Sequence, residues 1–294
     1  MNQSLVRPIK PEEEIHFMNI EETDFASMKR AEQIRHFEVE GYVVFPAILK
    51  PDLIARLKNE LADAEMSHTS YSVYQTRSVT QPQWLSLAVA ELIGYPPMIE
   101  FLTDLMGPDF VFTRGFFQRT LGGSPGISIH TDGQPHGSNL FGYEGSCPRL
   151  LRVLYYLDEL TADRAPFRLL PRSHISFHAE ASPYVRYKSH PEEITLLVPA
   201  GSAVVVPSLL LHGSHPNKDP QSRELVQFGY RPAWAGPIQP VEEWAPELVA
   251  TAPEMAKPFL KSLNTTGQVW EQTHKPAGMK TAAPGINPSR WGDR

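Results

Sequence analysis

The sequence predicts a mainly β fold, an antiparallel sandwich or closed barrel, with helices gathered on its N-terminal side. Three observations predict it. Beyond Gly107 the apolar residues recur at every second position, the period of a pleated strand and not of a helix. Short strand-like segments then follow one another through Gly, Pro, Asn and Asp turns without intervening helices, which argues against a βαβ arrangement. The helix-like segments precede this region and would cover one face of the sheet.

Taken in order, residues 1–25 mix acidic, apolar and Pro positions without a period and read as an arm laid on the surface. Ala26 to His36 has helical spacing, and "EGYVVFPAIL" then reads as a short strand. Pro51 opens the helix "PDLIARLKNELADAEM", with Leu53, Ile54, Leu57 and Leu61 on one face. The polar and aromatic "SHTSYSVYQTRSVTQPQW" reads as a loop beside a pocket mouth. Leu85 to Met106 is helical, interrupted by Pro96 and Pro97. The strand-like segments are "DFVFTRGFFQRT", "GISIHTD", "RLLRVLYYLDEL", "FRLLPRSH", "ITLLVPAGSAVVVP", "SLLLHGSH" and "RELVQFGYRP". From Trp234 onward the chain reads as an irregular, Pro-rich extension. The expectation is a single domain over 1–294, with a helix-rich part at 1–106, a β core at 107–232 and an extension at 233–294.

Composition narrows the function classes. With 41% hydrophobic and 20% charged residues in 294, the chain has the make-up of a soluble globular protein. A net charge of -6 without a basic cluster argues against a nucleic-acid partner. The one cysteine, Cys147, allows neither an intramolecular disulfide nor a thiolate metal cluster. The start of the chain lacks the apolar run of a signal peptide, and no stretch has the length of a membrane span, so the expectation is a cytoplasmic protein without a membrane partner. Neither a G-x-G-x-x-G nor a P-loop pattern is present, which removes nucleotide binding of those kinds.

The stretch "SIHTDGQPHG" carries the chemistry. Alternation puts His130 and Asp132 on the same face at a strand end, an imidazole beside a carboxylate where a metal can take both. A third candidate ligand, His212, ends the apolar run "SLLLH". Arg223 follows eleven positions later and opens "RELVQFGYRP". In that strand Arg223, Leu225, Gln227 and Gly229 share one face, whereas Val226, Phe228 and Tyr230 can pack under helices. A guanidinium directed into a cavity needs an anion to offset its desolvation, either a ligand carboxylate or a protein acid such as Glu224 or Asp219.

The combination of H-x-D at 130–132, a distal His212 and Arg223 eleven residues beyond it resembles the Fe(II)- and 2-oxoglutarate-dependent oxygenases of the phytanoyl-CoA dioxygenase-like family. "EGYVVFPAILKPDLIARLKNEL", "LLPRSHISFH" and "GSAVVVPSLLLHGSHPN" resemble further stretches of that family. Two segments depart from its pattern. The usual Pro-Gly-Ser-His is "PRSH" here, with Arg172 for the glycine, and an Asn-Gly pair is replaced by "DRAPF". The carboxylate Asp132 matches the hydroxylating members and not the halogenases, which leave that position to chloride.

The resemblance implies a double-stranded β-helix (jelly-roll, cupin-like) core under N-terminal helices. It also implies Fe(II) held by His130, Asp132 and His212, with 2-oxoglutarate and O2 as cosubstrates, and an open face of the kind non-haem iron requires. Arg223 would take the far carboxylate of 2-oxoglutarate, and Ser214 and Gln118 are further candidates for contacting it. His136, Phe116, Phe141, Tyr74 and Trp234 are the candidate substrate contacts. The expected partner is a small organic metabolite, and the expected assembly a monomer or homodimer. The alternatives are a cupin-type metal-dependent isomerase or hydrolase and a non-catalytic ligand-binding barrel. His174, His178, His190 and His215 are the rival metal ligands, with His174 first among them.

Overall fold

The computed structural model describes residues 18–68, 76–132, 150–176, 190–237 and 240–265. The N-terminal part contributes α1 (Arg30–Glu40), β1 (Val43–Phe45), α2 (Pro51–Glu60), β2 (Ser67–His68), β3 (Thr76–Thr80), α3 (Leu87–Ile93) and α4 (Pro96–Met106). Pro51 sits in the first turn of α2 with Asp52, and Lys58 in the last, which matches the helix dipole at both ends. The break expected at Pro96 is the junction of α3 and α4, because the ring opens a new helix but cannot continue the old one.

The β core follows as β4 (Phe110–Thr120), β5 (Ile127–His130), β6 (Leu151–Tyr156), β7 (Phe167–Leu169), β8 (Ile194–Leu196), β9 (Ala203–Pro207), β10 (His212–Ser214) and β11 (Arg223–Pro232). A short helix, α5 (Ser173–Ser176), lies between β7 and β8. Two antiparallel sheets form. The larger has seven strands in the order β1-β9-β6-β11-β4-β3-β2, and the smaller has four in the order β5-β10-β7-β8. Strands β4 to β11 cross between the two sheets at every step but one, β7 to β8, which pair with each other in the smaller sheet; this is the order of a jelly roll, so the expected double-stranded β-helix is the fold.

The two faces of the larger sheet differ as the alternation demands. Val226, Phe228 and Tyr230 are fully buried on its outer face, where the Tyr230 hydroxyl donates to the carbonyl of Ile93 in α3 at 2.8 Å. Met98, Phe101 and Leu102 of α4 are also fully buried, so the helices cover a sheet face as expected. The inner face turns toward the smaller sheet, and Tyr156 meets Phe167 across the gap at 6.5 Å between ring centroids.

Three segments differ from the sequence expectation. The polar stretch expected as a loop supplies β2 and β3, and β3 pairs with β4 from Thr76↔Thr120 to Thr80↔Phe116. Of its buried residues, Thr76 and Ser78 are polar and only Val79 is apolar, so the apolar alternation that reveals a strand is missing. In "SLLLHGSH" only His212–Ser214 is strand, and Leu210 closes a turn by donating to the Pro207 carbonyl at 3.1 Å. The extension contains α6 (Pro246–Thr251) and a 3-10 turn at Lys257–Phe259, whose Phe259 stacks on Phe110 at 4.9 Å.

Both departures from the family pattern fall at positive φ. Arg172 adopts φ 65° and Ala165 φ 45°, conformations that a glycine takes without strain. Arg172 is held there by its own contacts. Its N–H donates to the Glu40 carbonyl at 2.9 Å, and its guanidinium bridges Glu40 at 2.9 Å and Glu192 at 3.1 Å.

Candidate metal centre

β5 and β10 are neighbours in the smaller sheet, and their register makes His212 the direct partner of His130. The strands approach closely at Gly213. A Cβ there would lie 2.5 Å from the Ile127 carbonyl oxygen, so a side chain at this position would push the two histidine strands apart. Asp132 follows the end of β5, and its N–H donates to the Ser208 carbonyl at 2.7 Å, which ties the bend after β5 to the turn before β10.

These constraints bring one ligand atom from each of His130, Asp132 and His212 within 4.8 Å of one another. His130 Nε2 is 3.7 Å from Asp132 Oδ1, and His212 Nε2 is 3.8 Å from Asp132 Oδ2. Each imidazole is oriented by its other nitrogen. His130 Nδ1 donates to the Ser128 carbonyl and His212 Nδ1 to the Leu210 carbonyl, both at 2.8 Å. A carbonyl only accepts, so both rings carry the proton on Nδ1 and present an Nε2 lone pair toward the carboxylate.

The electrostatics keep this cluster in its ligating form. Burial raises the pKa of Asp132, but His212, Arg152, His130 and Arg114 outweigh it and bring the carboxyl from 3.8 to about 2. Burial is the main cause that lowers His212 from 6.5 to about 4, aided by His130 and Arg152 against the pull of Asp132. Near neutral pH the carboxylate is therefore charged and His212 is neutral. Arg152, buried to 3% exposure, donates from Nε to Asp132 Oδ2 at 2.9 Å.

A second polar group lies on the inner face of the larger sheet. Arg223, at 3% exposure, donates from Nη2 to Thr120 Oγ1 at 3.2 Å and stands 5.5 Å from the centroid of Tyr156. The protein acids considered as partners are engaged elsewhere. Glu224 accepts from Arg119 Nε at 2.7 Å, and Asp219 accepts from the Gln221 N–H at 2.8 Å. Arg223 Nε and Thr76 Oγ1 are buried without a hydrogen-bond partner, and Thr76, Thr120 and Arg223 occupy one row of paired strands. From Arg223, contacts run through Tyr156 to Phe167 and from Phe167 to His212, whose ring centroids are 5.5 Å apart.

The other sequence candidates divide. Gln118 lies next to this row, paired with Leu225 and Ser78, and Phe116 lies one step further, paired with Gln227 and Thr80. Ser214 is buried beside the site, and its Oγ accepts from the Ile127 N–H at 3.1 Å. Trp234 is 39% exposed in the turn after β11. Tyr74, His136, Phe141, Cys147 and His178 lie outside the described residues. The remaining rivals are elsewhere: His174 Nε2 bonds the Glu38 carbonyl, His190 Nδ1 accepts from the Glu192 N–H, and His215 bonds Thr195. Sequence reasoning missed Thr76, Thr120, Arg114 and Arg152. Arg152 carried a usable signal, a charged residue inside the otherwise apolar "LLRVLYYL".

The family model for phytanoyl-CoA dioxygenase (PhyH) matches residues 37–225, a span that includes the three clustered side chains and Arg223. The chain belongs to the phytanoyl-CoA dioxygenase family. Solved structures agree on the fold. HygX from Streptomyces hygroscopicus, crystallised with nickel and 2-oxoglutarate, is 19% identical with a TM-score of 0.60, over 70% of this chain and 88% of that one. The non-heme alpha ketoglutarate dependent epimerase SnoN from nogalamycin biosynthesis is 16% identical with a TM-score of 0.58, over 74% and 94%. The carbocyclase SnoK, from the same biosynthesis, is 17% identical with a TM-score of 0.57, over 72% and 87%. No curated protein matches the chain. Among the described residues of this family member, no helix is long and apolar enough to cross a membrane.

Proposed function

We propose that the protein is a non-haem Fe(II)- and 2-oxoglutarate-dependent oxygenase that oxidises a small organic molecule. The observation that carries this reading is the pairing of a two-histidine, one-carboxylate cluster with a buried arginine whose Nε lacks a partner. Two imidazoles and one carboxylate on one side of a cation leave positions open, as non-haem iron requires. A closed structural zinc site would need a fourth protein ligand. Among the described residues no further His, Cys, Asp or Glu joins the cluster.

The residues also fit 2-oxoglutarate. A buried guanidinium with an orphaned N–H, beside an orphaned hydroxyl, is costly unless an anion completes it. In this reading Arg223 Nε and Thr76 take the far carboxylate, and Thr120 holds the Arg223 fork in position. The Ser214 oxygen is already used as an acceptor, so its hydroxyl proton remains for donation to the same carboxylate. Gln118 borders that carboxylate and Phe116 faces the substrate side.

When bound, iron would activate dioxygen, the oxidant for an unactivated C–H bond, while 2-oxoglutarate would serve as the reductant and leave as succinate and carbon dioxide. The chain's own task is orientation and exclusion of water. His130 and His212 present fixed Nε2 lone pairs, and Asp132 is held ionised by Arg152. Tyr156 and Phe167 line the path from the anion end to the metal end with apolar rings. Hydroxylation is the simplest outcome. Desaturation, cyclisation and C–N cleavage follow from the same first step when the substrate's geometry directs it.

The test is conversion of 2-oxoglutarate to succinate by iron-loaded protein in air. Slow succinate release that needs Fe(II) and 2-oxoglutarate, and that a small organic substrate accelerates, is the expected result. Activity that persists without 2-oxoglutarate, with Mn(II) or Zn(II) in place of iron, would instead identify a cupin-type isomerase or hydrolase.

A further inference from the structure

We propose that Arg152, with Arg114 beside it, binds a carboxylate of the organic substrate and so holds the reacting carbon next to the metal position. The proposal rests on the oxygenase reading and adds the substrate's charge class to it. Arg152 is fully enclosed yet only partly satisfied. Its Nε serves Asp132, while its Nη1 is buried without a hydrogen-bond partner. A divalent cation at Asp132 would draw on the same carboxylate charge, which leaves Arg152 less neutralised than the metal-free geometry suggests.

Gly229, which carries no side chain, lies beside that nitrogen. Arg114 of β4 and Arg152 of β6 both pair with Gly229 of β11, so one row across the sheet reads Arg114, Gly229, Arg152. A Cβ at Gly229 would lie 2.6 Å from Thr113 Oγ1, 3.1 Å from Arg114 Cγ and 3.3 Å from Arg152 Nη1. Any side chain there would press into the space where the two arginine side chains converge. Arg114 is also close enough to Asp132 to help hold its carboxyl ionised.

Position along β11 distinguishes this ligand from 2-oxoglutarate. Gly229 is six residues beyond Arg223, about 20 Å at the ~3.3 Å rise of a strand. The two orphaned guanidinium nitrogens therefore stand at opposite ends of the same inner face. 2-Oxoglutarate anchored on Arg223 approaches the metal from one side, and Arg152 serves a group that arrives from the other. A carboxylate suits the buried Arg152 fork with its orphaned Nη1, whereas a neutral carbonyl would compensate less of its charge.

The probe is acetate, small enough to enter wherever a substrate carboxylate enters, with acetamide as its neutral match. Co(II)-loaded protein with 2-oxoglutarate is titrated under argon, and paramagnetic broadening of the probe's methyl NMR signal reports approach to the metal. The expected result is saturable broadening of acetate and not of acetamide, with an acetate Kd at least tenfold weaker in Arg152→Lys. That variant keeps a cation for Asp132 and removes the second nitrogen of the fork. Acetate that fails to saturate, or saturates equally in Arg152→Lys because it sits on the metal itself, overturns the proposal. Equal weakening of 2-oxoglutarate in that variant also overturns it and assigns Nη1 to the cosubstrate. If Arg152→Lys loses the metal, Arg114→Gln replaces it, with a several-fold weaker acetate Kd expected and an unchanged one overturning. The acetate titration reads Arg152 without 2-oxoglutarate as well, so failure of the oxygenase reading is distinguishable.

Discussion

His130 and His212 are direct partners across β5 and β10, with ring centroids 4.6 Å apart, and each is pinned by a bond from Nδ1 to the carbonyl two residues before it. This relationship makes the metal centre a property of strand pairing and not of a loop. His212→Ala and Asp132→Ala are expected to lose stoichiometric Fe(II) binding in anaerobic calorimetry. His174→Ala should retain it, since that ring is bonded to Glu38. Loss of iron in His174→Ala to the same degree would show that the third ligand is misassigned.

Gly213 permits that pairing, so Gly213→Ala should damage the site from the far side of the strand. Its new methyl would lie 2.5 Å from a backbone oxygen, and backbone cannot rotate away. A loss of about 1–3 kcal/mol in urea unfolding is expected, with weaker Fe(II) binding. Wild-type stability together with wild-type metal affinity would contradict the close-approach argument.

Ala47 gives a prediction of opposite sign. It follows Pro46 in an exposed turn at φ 45°, the position where a type II turn favours glycine. Ala47→Gly should raise stability by about 1 kcal/mol through relief of that strain. Arg172→Gly, at φ 65°, should change it little because the relief is offset by loss of the Glu40 and Glu192 contacts. Thermal unfolding of both variants compares the two cases, and destabilisation by Ala47→Gly would refute the strain argument.

Acid should destabilise the metal-free protein through the same cluster. His212 lies at about 4 in the folded state against 6.5 when free, and Asp132 at about 2 against 3.8. Both folded values are below the unfolded ones, so the unfolded chain takes up protons first. The histidine contribution is complete above pH 6.5 and is lost as pH falls toward 4. Between pH 7.5 and 5 it amounts to about 2 kcal/mol. Urea midpoints of wild type and His212→Gln over that range test it. A wild-type pH slope no steeper than the variant's would contradict the assignment.

Much of this arrangement was legible in the sequence, for physical reasons that also mark the limit. The period-2 segments from Phe110 to Pro232 revealed the sheets because their outer face is apolar under the helices. The face division of β11 followed from the same rule, and its register with β4 and β6 agrees with it. What alternation could not show was a strand in which two of the three buried residues are polar. Thr76 and Ser78 therefore looked like loop, and with them went half of the anion end of the cavity. Arg152 was missed because its partner, Asp132, comes from the opposite sheet, twenty residues earlier in the chain. Sequence spacing carries no trace of that juxtaposition. The choice of acid for Arg223 was equally a matter of packing, since Glu224 turns to Arg119 on the adjacent strand.

The central claim is that one cavity joins a His130, Asp132, His212 metal site to an Arg223 carboxylate site. Anaerobic titration of metal-free protein with Fe(II) and then 2-oxoglutarate tests it without any knowledge of the substrate. The visible charge-transfer band of chelated 2-oxoglutarate should appear in wild type, vanish in Asp132→Ala, and require at least tenfold more 2-oxoglutarate in Arg223→Ala. Iron binding without the band in wild type would contradict the account.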